Sequence, residues 1–164
     1  MSMKLAAVTA VATLAATLVL LSAVAGHADA GADPVRGRDI PAHFLRGVVA
    51  DIAGNEYAHA WLRLYPPHQA VAPVDEYVAC ELRSPIPGRL ARLVVVRSVR
   101  GSFPVAGQTA RVAGAAVTFL IRISEPALAT SVQFKATFHA VRFAEHWTWI
   151  LPAARYAMYR DDGC

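Results

Sequence analysis

Around Gly88 the spacing of apolar residues changes from helical to alternating, which restricts the chain to folds in which helices come first and an antiparallel sheet follows. Upstream, Phe44, Leu45, Val48, Val49 and Ile52 form one helical face behind Asp39, a capping residue, and Pro41, suited to a first turn. Gly54 is a natural stop for that helix. Asn55 is placed to cap a second helix with Tyr57, Trp61 and Leu64 along one side, ended by Pro66-Pro67 because neither proline can donate to a continuing helix. Pro73 opens a third, with Tyr77 and Cys80 on a shared face, and Pro85, Pro87 and Gly88 close the helical half.

Beyond Gly88, Leu93, Val95 and Val99 alternate with Val94 and Val96 in a β-branched run, with a break expected between Gly101 and Pro104. Val117, Phe119, Ile121 and Ile123 occupy one side of the next strand, opposite Thr118, Arg122 and Ser124. Glu125-Pro126 turns the chain into a long strand with Val132, Phe134, Ala136, Phe138 and Ala140 facing one way and Gln133, Lys135, Thr137 and His139 the other. Ala144-Glu145-His146 reads as a hairpin into a last strand carrying Trp147, Trp149 and Leu151, and one or two helical turns are expected over 153–159. The expected class is α+β, with N-terminal helices covering one face of a curved antiparallel sheet.

The N-terminus has the layout of a secretory signal peptide: a cationic start through Lys4, an apolar stretch from Leu5 to Ala25, and the small-x-small tripeptide Ala28-Asp29-Ala30. The competing reading is an uncleaved anchor, although much of the stretch is Ala and Thr. Cleavage after Ala30 leaves a flexible leader over 31–38 and a single domain over 39–164, secreted or otherwise extracytoplasmic. In an oxidising compartment the two cysteines pair by default, Cys80 with Cys164, closing a loop of about 84 residues. The alternatives are a buried unpaired Cys80 or an intermolecular bond through Cys164. The net charge of +4 survives processing, since Lys4 and Asp29 cancel, and no basic run marks a nucleic-acid site.

Two groups of residues carry a resemblance. Gly54-Asn55-Glu56-Tyr57, Ala60-Trp61-Leu62, Leu64-Tyr65-Pro66, His68-Gln69 and Tyr77-Val78-Ala79-Cys80 form the first; His139-Ala140-Val141-Arg142, Trp147-Thr148-Trp149-Ile150-Leu151 and Gly163-Cys164 form the second. Over residues 40 to 164 the chain resembles small exported actinobacterial proteins with a nuclear transport factor 2-like (SnoaL-like) fold. That resemblance implies a cone, with helices in the concave side of a strongly bent sheet and a pocket at one end. Some proteins of this fold are enzymes, such as ketosteroid isomerase and scytalone dehydratase, and many are non-catalytic binding domains, so the fold does not choose an activity. The chain departs from the pattern at Ala144-Glu145-His146, where a glycine-containing turn is expected.

General acid and base chemistry in such a pocket would draw on Asp51, Asp75, Glu81, Tyr57, Tyr77, His59 and His139. His139 stands out because it lies mid-strand, where a helix-covered pocket could desolvate it; a hydrogen-bonded strand histidine is the ordinary account. Tyr57, Trp61, Tyr77, His139 and Trp149 are the pocket candidates. No catalytic residue, cofactor or metal ligand is assigned: the histidines lack metal-pair spacing and no serine sits in a nucleophile elbow. Trp61, Trp147, Trp149, Tyr156 and Tyr159 read as a stacking surface or as core, and Arg92, Arg97, Arg100, Arg111 and Arg122 as a basic sheet face or a solvated exterior. The leading expectation is a non-catalytic module that contacts an apolar small molecule or an envelope protein, with no nucleic acid and no stable membrane insertion. A small isomerase or hydratase using His139 and a tyrosine is the alternative, and a homodimer through the exposed sheet a third reading.

Overall fold

The computed structural model describes residues 40–125, 129–161 and 164. The segments read as signal peptide and leader, the Asp39 cap, and the Pro126 half of the turn after Glu125 lie outside these residues. Four helices, α1 (Ile40–Ala53), α2 (Tyr57–Leu62), α3 (Pro66–Val71) and α4 (Val74–Glu81), precede strands β1 (Arg89–Phe103), β2 (Val112–Glu125), β3 (Thr130–Phe143) and β4 (His146–Trp149), and α5 (Ala153–Asp161) ends the fold. The class is α+β: the strands form one curved, unclosed antiparallel sheet in the order β1-β2-β3-β4.

Helix α1 lies across one face of the sheet and touches all four strands. Its Leu45, Val48 and Val49 are fully or nearly fully buried against Val117, Phe119 and Ile121 of β2, the strand side identified from alternation, with Tyr57, Tyr77 and Trp149 completing the core. Burying Phe119 alone contributes about 2 to 3 kcal/mol of transfer free energy. The left-handed residue that ends α1 is Asn55, with φ 61°, one position later than the glycine expected to do so. Its side chain does more than terminate a helix: Oδ1 accepts from the Ile86 amide at 2.8 Å, and Nδ2 donates to the Ile86 carbonyl at 3.1 Å. It caps no helix, since Glu56 precedes α2. Three helices were expected before the sheet and four are present: α2 stops at Leu62, earlier than Pro66-Pro67 and with Leu64 outside it in a bridge to Trp149, and the two prolines open α3 instead, proline's fixed φ and missing amide being harmless in a first turn.

Register irregularities in β1 at Leu90/Arg92 and Val95/Arg97 insert an extra residue each, increase local twist and bend the strand. The second of them separates residues that strict alternation puts together: Val95 pairs with Phe119 on the helix-covered face, while Val99 pairs with Ala116 on the outer face and is exposed. Strand β1 runs through Gly101 and breaks only at Pro104. In β3, Ala140 is buried and Phe138 half-buried, but the helices do not reach the other end, so Val132 (64%) and Phe134 (44%) stay exposed on the helix side. The free side of β4 is covered by a short parallel bridge, in which the Tyr65 amide donates to the Trp149 carbonyl (2.8 Å) and the Trp149 amide to the Arg63 carbonyl (3.1 Å).

Phe143 pairs with His146, so the β3–β4 hairpin turns through Ala144-Glu145 alone, with Ala144 at φ 50°. A two-residue hairpin loop with positive φ at its first position favours glycine, and alanine there is strained. Ala144→Gly is expected to raise stability by about 0.5 to 1 kcal/mol, measured by urea denaturation; a neutral or negative change would mean that the strain is absorbed elsewhere.

The disulfide joins Cys80, at the end of α4, to Cys164 beyond α5, with Cα atoms 5.6 Å apart. Around it α4 and α5 share further contacts: Arg155 pairs with Glu81, the Tyr159 hydroxyl donates to Glu81 Oε1 at 3.0 Å, and the Tyr77 and Tyr159 rings lie 5.9 Å apart. Among the described residues no helix is long and apolar enough to cross a membrane.

Candidate functional site

The most enclosed of the clefts described arises where β4 stops. Trp149 is its last residue, and after the Ile150 amide donates to the His139 carbonyl (3.2 Å) the chain leaves the sheet toward α5. The β1–β2 connection folds back over the same end. Val105 packs with Tyr65, Val141 and Ile150 in a second small core, and Gly107, at φ +76°, lies so close to the Tyr156 hydroxyl that a side chain there would collide with it. Between these two segments a cleft of about 470 Å³ opens, with Phe103, Pro104 and Ala106 as one wall, Ala136 to His139 as the floor, and Trp149 to Ala153 as the other wall.

His139 is the one ionisable side chain in this lining. Its ring stands edge-on to Phe103 with centroids 5.1 Å apart. Burial lowers its pKa below the ordinary histidine value, so the imidazole is held in the neutral form, in which one nitrogen donates and the other accepts. What desolvates it is the β1–β2 connection and Phe103; the helices cover the opposite face. The other polar side chain of the floor, Thr137, meets Thr118 Oγ across the sheet at 2.8 Å.

The other candidates are distributed differently. Tyr57 and Tyr77 are buried within the helix-covered core, and burial is the main reason both phenol pKa values are raised. The Tyr57 hydroxyl donates to Asn55 Oδ1 at 2.7 Å. Trp61 Nε1 donates to the Ala72 carbonyl and Trp149 Nε1 to the Ala60 carbonyl, each at 2.7 Å, so one indole donor ties α2 to the end of α3 and the other ties β4 to α2. Trp149 spans the two regions, belonging to the core and forming part of the cleft wall. Tyr57, Tyr77 and Trp149 thus share one interior, while His139 faces the cleft. Asp51 pairs with Arg63 at 3.2 Å, Glu81 with Arg155, and His59 is exposed 4.0 Å from Glu56.

Pairing register places Arg92, Arg97 and Arg122 with Lys135 on the outer sheet face; Arg100 instead borders a shallower depression of about 490 Å³ shared with Arg142 and Trp147. Arg111 bonds the Ser102 carbonyl at 3.1 Å. Among the described residues no group of three His, Cys, Asp or Glu side chains comes together as a metal site requires.

Sequence reasoning passed over His68. It is completely buried in α3; Nδ1 accepts from the Leu151 amide at 3.0 Å, which leaves Nε2–H to donate to the Ala106 carbonyl at 3.0 Å. Tyr156 and Tyr65 flank the ring at centroid distances of 4.8 and 5.4 Å. Burial lowers its pKa, and the two hydrogen bonds select the neutral Nε2–H tautomer. One imidazole therefore joins α3, the β1–β2 connection and the segment after β4, holding both walls of the cleft. No protein-family model matches this chain, and none of the curated proteins does.

Proposed function

We propose that this protein is an exported, non-catalytic binding module whose cleft between Phe103 and Trp149 takes an apolar molecule carrying one hydrogen-bonding head group. The carrying observation is the cleft: its volume of about 470 Å³ lies in the range used for small ligands, its lining is largely apolar, and a single neutral imidazole offers a directional contact. In the helix-covered core, by contrast, the phenol of Tyr57 and the indoles of Trp61 and Trp149 bond to neighbouring helices and loops. Export is supported by the signal-like N-terminus and the Cys80–Cys164 disulfide. The helices-then-bent-sheet layout agrees with the nuclear transport factor 2-like, SnoaL-like resemblance, which we adopt as part of this reading.

The test uses prodan, a neutral naphthyl ketone whose fluorescence reports polarity. Its emission is expected to shift to the blue on binding, and His139→Ala is expected to weaken binding about tenfold by removing one hydrogen bond to the ketone. Phe103→Ala should weaken it further by opening the wall. Binding unaffected by both substitutions would place the ligand elsewhere and overturn the assignment of this cleft.

A further inference from the structure

Strands β1 to β4 carry six arginines and Lys135 against one carboxylate, Glu125, which sits at the end of β2 that pairs with Thr130. At the other end of the sheet, register brings side chains from all four strands to the helix-side face: Arg100 pairs with Ala115, Ser102 with Ala113, and Arg142 with Trp147. Between the long side chains of β1 and β3, strand β2 places exposed Ala113, and Gly101 and Gly114, paired with each other, add only backbone. The result is the depression of about 490 Å³, a trough lined by strand residues, with Arg100 and Ser102 on one side and Arg142 and Trp147 on the other. It shares no lining residue with the cleft. Its cations are held differently. Arg142 pairs with Glu145 at 3.0 Å and lies over the Trp147 ring, 5.7 Å from its centroid. Arg111 bonds the Ser102 carbonyl at 3.1 Å. The Arg100 side chain is exposed and has no ion pair among the described residues. Against three guanidinium groups stands one carboxylate, Glu145, so the trough is left positive.

We infer that this trough is a second binding site, for a water-soluble phosphate monoester, with the phosphate lying over Ala113 between Arg100 and Arg142. Strands β1 and β3 flank β2 about 10 Å apart, so their guanidinium groups approach an oxyanion over β2 from opposite sides. The number of acceptors selects the anion. A carboxylate presents two oxygens and satisfies one guanidinium fork, whereas a phosphate monoester presents three terminal oxygens and about two negative charges. It can accept from both forks and from the Ser102 hydroxyl at once. The trough is much larger than a bare phosphate ion and so has room for an organic body. Apart from Trp147 its side chains are charged, hydroxylated or small, which suits a polar body and not an acyl chain. Trp147 contributes indirectly, as the surface on which Arg142 is set. Bound dianion would also offset the mutual repulsion of guanidinium groups that Glu145 alone leaves in place. The inference is independent of what the cleft binds.

The test is calorimetric titration of the full chain at low ionic strength, in a mild non-ionic detergent that masks its apolar N-terminal stretch. The probes are glucose 6-phosphate, inorganic phosphate and glucuronate. Glucose 6-phosphate is expected to bind about tenfold more tightly than glucuronate, and more tightly than inorganic phosphate. Arg100→Gln and Arg142→Gln should each weaken it about tenfold by removing one charge-assisted fork. Ala113→Leu, which fills the floor and removes no charge, should weaken it similarly. Arg97→Gln takes the same charge from the outer face and should change binding less than twofold. All four positions are exposed, so the circular dichroism spectra should match that of the parent chain. No binding of glucose 6-phosphate, equal affinity for glucuronate, or equal losses from Arg97→Gln and Arg100→Gln would each overturn the proposal, the last by reducing it to net charge. Inorganic phosphate binding as tightly as the ester would overturn it in favour of the free ion. Prodan binding unchanged by Arg100→Gln keeps the outcome separate from that of the cleft.

Discussion

Replacing Cys164 with serine is expected to lower the unfolding free energy by about 4.5 kcal/mol, the chain-entropy value for releasing a loop of this size. The bond closes a separation of 84 residues, which takes in the whole sheet, so its removal gives the denatured chain far more freedom than the loss of a short cross-link would. The folded state changes less. Glu81 still holds Arg155 and Tyr159, and Tyr77 still packs on Tyr159, so α5 keeps its seat on α4. Urea unfolding of the variant against the oxidised protein measures the difference, with a steeper denaturant slope expected for the variant because its unfolded chain is less compact and exposes more surface. A loss below about 1 kcal/mol would mean that the unfolded chain keeps these segments together without the bond.

His68→Ala should cost about 3 to 4 kcal/mol, combining a cavity in a closed site with two buried backbone groups left unpaired. Those groups are the Leu151 amide and the Ala106 carbonyl, one on each wall of the cleft. Prodan binding should therefore fall together with stability, although His68 does not line the cleft. The same geometry fixes a pH dependence. Protonation would place an N–H at Nδ1 facing the Leu151 amide, donor against donor, so the folded state resists the proton while the unfolded state takes it up at the ordinary histidine value of 6.5. The unfolded chain then binds more protons, and stability is full above pH 6.5 and falls as the pH drops below it, by at most about 1.4 kcal/mol per pH unit for this one group. His139, whose pKa is lowered by burial, adds in the same direction. His68→Ala should flatten this part of the stability profile; an unchanged slope would assign the acid sensitivity to other groups.

Much of this architecture can be read from residue spacing because spacing is what generates it. The α1 face, the buried side of β2 and the switch at Gly88 are local patterns that the core then uses directly. The disulfide was accessible from two cysteines and the expectation that a signal-like N-terminus places them in an oxidising compartment. What spacing conceals is set by distant partners or by single-residue insertions. The extra residue near Val96 moves Val99 to the outer face, and alternation alone cannot reveal it. Pro66-Pro67 carries the same signal whether it ends one helix or begins the next. His68 is the clearest case: its partners lie 38 and 83 residues away, and no periodic mark separates it from an exposed helical histidine such as His59. His139 was legible as a candidate and its alternation with Phe138 and Ala140 was read as it is, but the helix cover expected for it lies on the opposite face; its cover comes from the folded-back β1–β2 connection, whose path no periodicity encodes.

The central functional claim is that ligand enters between Phe103 and Trp149 while the tyrosine-rich interior under the helices holds the fold. Side-chain NMR during a prodan titration tests this most directly. The account predicts progressive shifts at the rings of Phe103, Phe138 and His139, with the resonances of Tyr57 and Tyr77 unmoved. Shifts concentrated at Tyr57 and Tyr77, with His139 unchanged, would contradict it.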